Sequence, residues 1–477
     1  MAGSRRPSFI FFNPDELRAD AVHHLDGRPV HTQNLDRLAA EGITFGQCHV
    51  QNTVCTPSRC SFMTGWYPHV RGHRTLYHAL QPHEPNLLRT LKQAGYNVVW
   101  HGKNDLLAQG SFPDSVSYHC DRQAPRPTFP PNPYPRGHRL YRSFCFGCRG
   151  EAPYLDSDEM HVREACEFLR NPGDDPFFLF LPLTFPHPPY TVEEPFFSRH
   201  DPAKVPDPLP ALLDDKPHYM RALREDYGTA AYSPEEWREM VATYYGMVSR
   251  IDDQLGRILD SLESSPARDD TVVLVMSDHG DYVGDYGLVE KWPTGLQDVL
   301  TRVPMIWRLP DVVGPTPRHR SDALVESIDL VPTVLEASGV EASYDHFGRS
   351  LLPLIRGETD EHRDAVFAEG GHGPTEKQSI EPWLPEDFVY YIKTARQQLD
   401  PSTVAKAAMV RTPTHKYVAR LVGGDELYDL ASDPGELVNR ADDRALADVK
   451  ASLKDRLLRW YLETGDVVPR EMDPRRV

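Results

Sequence analysis

The sequence of 477 residues contains no run of about 18 apolar residues, the length that a membrane-spanning helix requires. It also lacks an excess of basic residues, because 52 Lys and Arg stand against 70 Asp and Glu, a formal net charge of −18. Nucleic acids and anionic membrane surfaces select basic protein faces, so we expect neither as the main partner. The first apolar run, at 8–12, is shorter than the apolar region of a secretory signal, and we expect a cytoplasmic protein.

Cysteine is scarce, and its pattern does not predict a disulfide framework. Seven cysteines, an odd number, are spread through a long chain, which favours a reducing compartment. Cys145 and Cys148 have the Cys-x-x-Cys spacing that can bind zinc or act as a redox pair. No second pair with zinc spacing accompanies them, since Cys120 is isolated in the sequence. We therefore interpret Cys145 and Cys148 as loop thiols or a loop cross-link.

Short apolar runs alternate with amphipathic segments along most of the chain. The runs predict buried strands at 8–13, 96–100, 177–183 and 271–276, and the segments predict helices at 34–42, 87–95, 235–262 and 327–339. Asn34 is the expected cap of the first helix. Strands that are apolar on both faces and alternate with helices predict an α/β fold. Its central sheet is mostly parallel but mixed, with helices on both faces.

The chain is predicted to divide into a catalytic α/β domain at 1–355 and a smaller C-terminal α+β subdomain at 356–477. Strands at 409–411 and 416–421 would form a small antiparallel sheet there, followed by a terminal helix near 445–463. The segments 113–149 and 204–226 lack periodicity, and we interpret both as surface loops that shape the pocket.

Polar residues follow each of the four main predicted strands. They are Asp15 and Glu16 after the first, Lys103 after the second, His187 after the third, and Asp278 and His279 after the fourth. Ligands of such sheets bind beyond the carboxyl ends of the strands, so these side chains predict one active site. Three carboxylates and an imidazole suit Ca²⁺ or Mg²⁺, and the histidine also admits Mn²⁺.

Histidine is enriched between residues 69 and 83. His69, His73, His78 and His83 have irregular spacing, which favours polar residues lining a pocket over a metal-binding tract. Within this segment His73 and Arg74 are our best candidates for substrate contact.

The motif Cys55-Thr56-Pro57-Ser58-Arg59, continued by Cys60-Ser61-Phe62-Met63-Thr64-Gly65, resembles the site that type I sulfatases convert to formylglycine. These enzymes belong to the alkaline phosphatase superfamily. Further segments also resemble the family. They are Pro186-His187-Pro188-Pro189, Ser277-Asp278-His279-Gly280-Asp281, Glu290-Lys291-Trp292 and Asp425-Glu426-Leu427-Tyr428-Asp429. The resemblance runs from Phe9 to about Asn439, nearly the whole chain.

The resemblance implies hydrolysis of a sulfate monoester, of a carbohydrate or another small organic alcohol, by formylglycine and a divalent metal. It implies catalytic roles for Cys55, Arg59, Lys103, His187 and Lys291. The implied metal ligands are Asp15, Glu16, Cys55, Asp278 and His279, with Ca²⁺ preferred over Mg²⁺ or Mn²⁺. Formylglycine would be made by a formylglycine-generating enzyme or an anaerobic sulfatase-maturating enzyme. A homo-oligomer is compatible with the sequence.

The sequence departs from the family pattern at two places. Asp15-Glu16 stands where many sulfatases have Asp-Asp, so Glu16 is either a ligand or a neighbour of one. Gly102-Lys103 is followed by Asn104-Asp105, where the family often has a histidine that helps to regenerate the aldehyde. His101, Asp105 or a histidine of the segment 69–83 would take that role, and we class His101 and Asp105 with the substrate-contacting residues.

Two other functions remain open. A phosphonate monoester or phosphodiester hydrolase of the same superfamily would use the same nucleophile and metal. A binding protein that is never matured would keep the pocket without catalysis.

Overall fold

The computed structural model describes residues 6–120 and 122–472. Its strands, in chain order, are β1 (Ser8–Asn13), β2 (Ile43–His49), β3 (Asn97–Trp100), β4 (Tyr118–His119), β5 (Cys145–Glu151), β6 (Phe177–Pro182), β7 (Tyr190–Glu194), β8 (Thr271–Met276), β9 (Arg302–Arg308), β10 (Arg320–Glu326), β11 (Val366–Gly370), β12 (Ala407–Arg411), β13 (His415–Arg420) and β14 (Glu426–Asp429).

The α-helices alternate with these strands or follow them, and helices cover both faces of the main sheet. They are α1 (His23–Asp26), α2 (Gln33–Glu41), α3 (Cys55–Thr64), α4 (Pro68–Arg71), α5 (Leu87–Gln93), α6 (Phe112–Ser115), α7 (Ser157–Arg170), α8 (His218–Asp226), α9 (Pro234–Glu263), α10 (Asp298–Thr301), α11 (Leu330–Ser338), α12 (Leu352–Ile355), α13 (Tyr391–Leu399) and α14 (Ala447–Thr464).

The main sheet has eight strands in the order β10-β2-β9-β8-β1-β6-β3-β4. All its pairs are parallel except those of β9 with β2 and with β8, so the predicted mostly parallel, mixed sheet is confirmed. The four strands predicted from apolar runs are the consecutive neighbours β8, β1, β6 and β3. Their carboxyl ends therefore meet at one edge of the sheet.

The sheet is covered on both faces because its strands alternate between two apolar layers. Along β1, Ile10 and Phe12 pack into a core that includes the long helix α9. Phe9 and Phe11 point to the opposite face and pack into a core with Phe62 of α3. This alternation of successive side chains explains why the whole strand is buried and reads as one apolar run.

The long helix α9 begins where local chemistry predicts a helix start. Pro234 occupies its first turn, and Ser233 and Glu236 form a reciprocal capping box.

Farther along α9, the Asp252 carboxylate accepts from the backbone N–H of Asn34 and Leu35. The prediction that Asn34 caps α2 is thus wrong, because Thr32 occupies the cap position and Asp252 satisfies the first amides.

The C-terminal part contains an antiparallel sheet in the order β11-β12-β13-β14, with α14 packed against it. The strands predicted at 409–411 and 416–421 correspond to β12 and β13, while β11 was not predicted. Trp460 of α14 stacks on Phe367 of β11 at a ring-centroid distance of 4.9 Å. The division of the chain at residue 355 stays a prediction.

The two predicted loops are only partly irregular. Residues 145–151 form β5, which pairs with β7, and the expected loop at 204–226 ends in α8, whose buried face includes Tyr219, Met220 and Leu223.

All seven cysteines lie within the described ranges and none forms a disulfide. Across residues 6–120 and 122–472, no helix has both the length and the apolarity to cross a membrane.

Candidate active site

The polar residues that follow β1, β8, β6 and β3 do converge at the carboxyl edge of the sheet. Gly102 lets the chain pass close to β6, because a Cβ at this position would lie 2.2 Å from the carbonyl oxygen of Pro182. The Lys103 amide donates to that same carbonyl at 2.9 Å, which fixes the start of the lysine side chain. Asp15 is tied in the same way, since its amide donates to the carbonyl of Phe185.

Cys55 is the first residue of α3 and is 2% exposed. Its sulfur lies 3.5 Å from Asp15 Oδ1, to which it donates, and 3.3 Å from His279 Nε2. Burial raises the pKa of the Cys55 thiol well above its ordinary value, and the negative charge of Asp15 adds to this effect. The thiol is therefore held in its neutral form.

Arg59 lies one helical turn beyond Cys55 and is fully buried. Its Nε donates to Asp278 Oδ2 at 2.9 Å, and its Nη2 donates to Asp15 Oδ2 at 3.1 Å. Ser58 of the same helix donates its hydroxyl to the Asp278 carbonyl at 2.6 Å. The helix thus orients two carboxylates, Asp15 and Asp278, which follow different strands of the main sheet.

Lys103 contacts two carboxylates. Its ammonium group pairs with Asp15 and lies 2.7 Å from Asp105 Oδ2. Burial opposes ionisation of Asp15, but the charges of Lys103 and Arg59 outweigh it and hold the pKa of that carboxyl well below its ordinary value. Asp105 therefore shares Lys103 with Asp15, which itself contacts Cys55, and its role in substrate contact stays a prediction.

Glu16 forms a second set of contacts with Lys291 and His187. Lys291 pairs with Glu16, and its Nζ lies 3.2 Å from His187 Nε2. His187 Nδ1 lies 2.6 Å from the Pro188 carbonyl, which requires a proton on Nδ1 and leaves Nε2 to accept from Lys291. Glu16 has a positive φ of 66°, an uncommon backbone state that costs on the order of 1 kcal/mol.

Burial raises the pKa of the Glu16 carboxyl well above its ordinary value, while the charge of Lys291 acts in the opposite sense. Burial also lowers the pKa of the His187 imidazole, and nearby Lys291 reinforces that effect. Both shifts have the same origin, since a dry pocket disfavours charge wherever no opposite charge compensates it.

The donor set fits a divalent cation. One ligand atom from each of Asp15, Glu16, Cys55 and His279 can be chosen so that all lie within 4.8 Å of one another. Glu16 Oε2 is buried and has no hydrogen-bond partner, so one carboxylate oxygen stays available as a ligand. Asp278 Oδ2 lies 3.9 Å from His279 Nε2, at the border of this group. Carboxylates with a single imidazole suit Ca²⁺, Mg²⁺ or Mn²⁺.

The other substrate-contact candidates are engaged elsewhere. His73 Nε2 lies 3.2 Å from Glu84 Oε1, and Arg74 Nη2 donates to Glu369 Oε2 at 2.6 Å. Both side chains are largely buried in these contacts. His101 is also buried, and its ring meets that of Tyr118 edge-on at 5.7 Å. The structure does not place these three side chains among the contacts of Cys55, and their substrate roles stay predictions.

Three contributors to the site were not predicted from the sequence. Tyr390 lies 3.3 Å from His187 Nδ1, and its hydroxyl donates to the Pro188 carbonyl at 3.0 Å. Glu290 lies 2.9 Å from Lys291 and 2.8 Å from Lys393, with all three nearly fully buried. Tyr390 and Lys393 come from the start of α13, where an irregular stretch rich in proline and aromatic residues carries no recognisable signal.

Comparisons with known proteins agree with this architecture. The family model described as Sulfatase matches residues 7–340. The chain is 26% identical over 489 residues to "Uncharacterized sulfatase YidJ" of Escherichia coli, covering 97% of this chain and 88% of that protein. It is 27% identical over 522 residues to "Multifunctional alkaline phosphatase superfamily protein PehA" of Trinickia caryophylli, covering 97% and 96%.

A solved structure with the same fold is the phosphonate monoester hydrolase of Agrobacterium radiobacter. It superposes with a TM-score of 0.76 at 23% identity and covers 96% of each chain. At this identity the likeness establishes the fold alone.

Proposed function

The chain belongs to the sulfatase family of sulfuric ester hydrolases, and on that basis we propose that it hydrolyses a sulfate monoester with formylglycine at position 55. The alcohol part of the substrate would be a carbohydrate or another small organic alcohol. The observation that carries this proposal is the position of Cys55 at the start of α3, between Asp15 and His279 and one turn before Arg59.

The surroundings of Cys55 favour a modified side chain over a free thiol. The neutral thiol is a weak nucleophile, and sulfur is a poor ligand for a hard cation beside carboxylates. A hydrated formylglycine would place two hydroxyl groups there instead. One hydroxyl would attack the sulfur atom of the sulfate ester, and the other would lose its proton to release the bound sulfate. Serine at this position would lack that second hydroxyl.

We assign the divalent cation, Ca²⁺ by preference, to Asp15, Glu16, Asp278 and His279 together with the modified residue 55. Such an ion supplies positive charge that lowers the pKa of an attacking hydroxyl and polarises the ester oxygens. Arg59 keeps Asp15 and Asp278 oriented for this role.

Lys103, Lys291 and His187 would then act on the ester itself. The two ammonium groups are held by different carboxylates, Lys103 by Asp15 and Lys291 by Glu16. From these positions they can balance the charge on nonbridging oxygens of the ester in the transition state. Because His187 Nε2 lies 3.2 Å from Lys291 Nζ, this pair can deliver a proton to the departing alcohol oxygen.

The runner-up is a phosphonate monoester or phosphodiester hydrolase. It is favoured by the 27% identity with PehA, whose name describes a multifunctional alkaline phosphatase superfamily protein. The same nucleophile, metal and cations would serve both reactions.

The proposal is tested on protein that is co-expressed with a formylglycine-generating enzyme or an anaerobic sulfatase-maturating enzyme. Mass spectrometry of the peptide carrying residue 55 should show a loss of roughly 18 Da, as expected for cysteine converted to formylglycine. The matched control is Cys148→Ser, which changes an exposed cysteine and should leave both conversion and activity intact.

On the same preparation, kcat/KM is compared for aryl sulfate, aryl phosphonate and phosphodiester substrates with one common leaving group. We expect the sulfate ester to be the best substrate. An unmodified Cys55 together with no turnover would support a binding protein, and a preference of about ten-fold or more for phosphonate or diester, some 1.4 kcal/mol, would establish the runner-up.

A further inference from the structure

A second group of potential ligands lies apart from the catalytic cluster, at the β3–β4 edge of the main sheet. His101 directly follows β3, Cys120 directly follows β4, and His161 lies on α7. One ligand atom from each of the three lies within 4.8 Å of the others. These residues are far apart in sequence, and the isolated Cys120 was not recognised as part of any cluster.

The two imidazoles in this group each have an unsatisfied nitrogen. Nδ1 of His101 and Nδ1 of His161 are buried and have no hydrogen-bond partner. The two residues are 2% and 8% exposed, and Cys120 is 9% exposed. A buried polar atom without a partner costs about 1–3 kcal/mol, so two unpartnered imidazole nitrogens within a cluster of three potential metal ligands are accounted for by a ligand that the three residues share.

The protonation states suit a metal. Burial lowers the pKa of His101 to about 4, and nearby His161 contributes. Burial also lowers the pKa of His161, against the opposing charges of Asp156 and Glu164. Both rings are thus neutral near pH 7, the form in which histidine binds a metal ion.

We propose that His101, Cys120 and His161 form a second metal site that takes a borderline-soft divalent ion, with Zn²⁺ as the best match. Two imidazoles and one thiolate make a three-ligand set that leaves a fourth tetrahedral position for water. Zinc bonds of about 2.0–2.3 Å place neighbouring donor atoms roughly 3.5 Å apart, so donors that lie within 4.8 Å of one another would have to close by no more than about 1.3 Å.

This ligand set separates the site chemically from the catalytic one. The catalytic cluster presents mainly carboxylate oxygens, which prefer hard ions, whereas the second site presents nitrogen and sulfur. The two sites can therefore hold different ions in one molecule.

The site would have a positioning role for two segments. Gly102-Lys103 directly follows His101, and Cys120 lies within the segment 113–149, which we interpret as shaping the pocket. An ion bound here would join the ends of β3 and β4 to α7 and fix the positions of both Gly102-Lys103 and Cys120. This inference does not depend on the proposed sulfate substrate.

The test uses the full-length Cys55→Ala protein, so that an unconverted catalytic thiol cannot contribute. The probe is Co²⁺, a spectroscopic substitute for Zn²⁺, titrated in the presence of excess Ca²⁺ to occupy the oxygen-rich site. We expect one equivalent of tightly bound Co²⁺ with a thiolate-to-cobalt charge-transfer band. The zinc content after dialysis, measured by inductively coupled plasma mass spectrometry, gives an independent value for the number of ions bound per protein molecule.

The decisive comparison is between two cysteine variants of that protein. Cys120→Ser should abolish the charge-transfer band and weaken Co²⁺ binding at least ten-fold, whereas Cys148→Ser should change neither. Far-UV circular dichroism checks folding, and if Cys120→Ser does not fold, His161→Gln takes its place with the same expected loss of affinity. Absence of the band from the folded Cys55→Ala protein, or its persistence in folded Cys120→Ser, would overturn the proposal.

Discussion

Glu369 provides the sharpest quantitative test of how the C-terminal sheet is attached to the segment that follows α3. This β11 residue is fully buried, and its Oε1 accepts from the His69 backbone N–H at 2.8 Å and lies 2.6 Å from His69 Nδ1. Its Oε2 accepts from Arg74 Nη2 at 2.6 Å and from the Tyr461 hydroxyl at 3.2 Å. One carboxylate thus joins β11, α14 and the segment that follows α3.

The electrostatic contribution follows from the pKa of this carboxyl. Burial opposes ionisation, but Arg74 and His69 outweigh it and lower the pKa of Glu369 from 4.5 to about 2. A difference of about 2.5 pKa units corresponds to about 3 kcal/mol of folding free energy. Because the folded-state pKa is depressed, this stabilisation is complete above pH 4.5 and is lost as the pH falls through 2.

Glu369→Gln should therefore lower the free energy of unfolding by about 3 kcal/mol at pH 7, since it also leaves the Arg74 charge buried without its partner. The difference from the unaltered protein should shrink by about 1 kcal/mol between pH 7 and pH 4, because the glutamine does not titrate. Urea unfolding followed by tryptophan fluorescence measures both quantities, and Trp460, which stacks on Phe367 of β11, is one of the seven tryptophans that contribute to the signal.

The matched control is Glu376→Gln, which changes a partly exposed glutamate 3.5 Å from Lys406. It should cost less than about 1 kcal/mol and show little pH dependence. Equal effects of the two substitutions, or a Glu369→Gln effect that is constant from pH 7 to pH 4, would refute the reasoning.

Three further predictions concern the site. Cys55→Ala should fold normally yet lose all but about 1% of sulfate release, and Cys55→Ser should be nearly as inactive because it has one hydroxyl where two are required; turnover near that of the unaltered enzyme contradicts the formylglycine assignment. Asp278→Asn should reduce kcat by orders of magnitude and weaken retention of the divalent ion, which elemental analysis after dialysis measures. The unaltered protein should lose activity when a chelator removes the ion and regain it when the ion is restored; full activity of metal-free protein would contradict this. Tyr390→Phe removes the hydroxyl 3.3 Å from His187 Nδ1 and should lower kcat about 2- to 10-fold with little change in KM, since one neutral hydrogen bond contributes about 0.5–1.5 kcal/mol; an unchanged kcat would show that Tyr390 does not position His187.

Four of the eight strands of the main sheet, β1, β3, β6 and β8, were predictable because they are apolar runs buried on both faces, whereas β2, β9 and β10 were not predicted. Ser8–Asn13 and Thr271–Met276 match the predicted bounds, since each is an unbroken apolar run ended by a polar or turn-forming residue. The short strand β4 and the strand β11 were missed for the opposite reason. β4 has two exposed residues, and β11 is too short and mixed in composition to differ from a loop.

The site was partly predictable because its residues follow strands that are neighbours in the sheet. Asp15 and Asp278 could be placed together from the general geometry of parallel sheets, before any contact was known. Contacts that span the chain had no local signal. Tyr390 reaches His187 across 203 positions, and Cys120 meets His101 and His161 only because β4 lies at the edge of the sheet.

The net charge of the site disfavours a phosphate monoester as substrate, but it does not distinguish a sulfate monoester from a phosphonate monoester or a phosphodiester. Its ion pairs join five carboxylates to four cationic side chains: Asp15, Glu16, Asp105, Asp278 and Glu290, with Arg59, Lys103, Lys291 and Lys393. If all of these groups are ionised, as binding of Glu16 to a divalent ion would favour, the group together with that ion has a net charge of about +1, which one negative charge on the substrate neutralises.

A sulfate monoester carries a single negative charge, whereas a phosphate monoester carries nearly two at neutral pH, so the site should disfavour the phosphate monoester. Phosphonate monoesters and phosphodiesters, however, also carry one charge, and net charge does not separate them from the sulfate ester. What separates them is shape, because a diester or phosphonate brings a second organic group where the sulfate ester has only an oxygen. In the sulfate ester, that oxygen would face the ammonium group of Lys103 or Lys291, each of which is paired with a buried carboxylate. In a diester or phosphonate, the second organic group would occupy the position of that oxygen, and the contact with the ammonium group would be lost. The loss of that charged contact is the physical reason to expect the sulfate ester to be hydrolysed fastest.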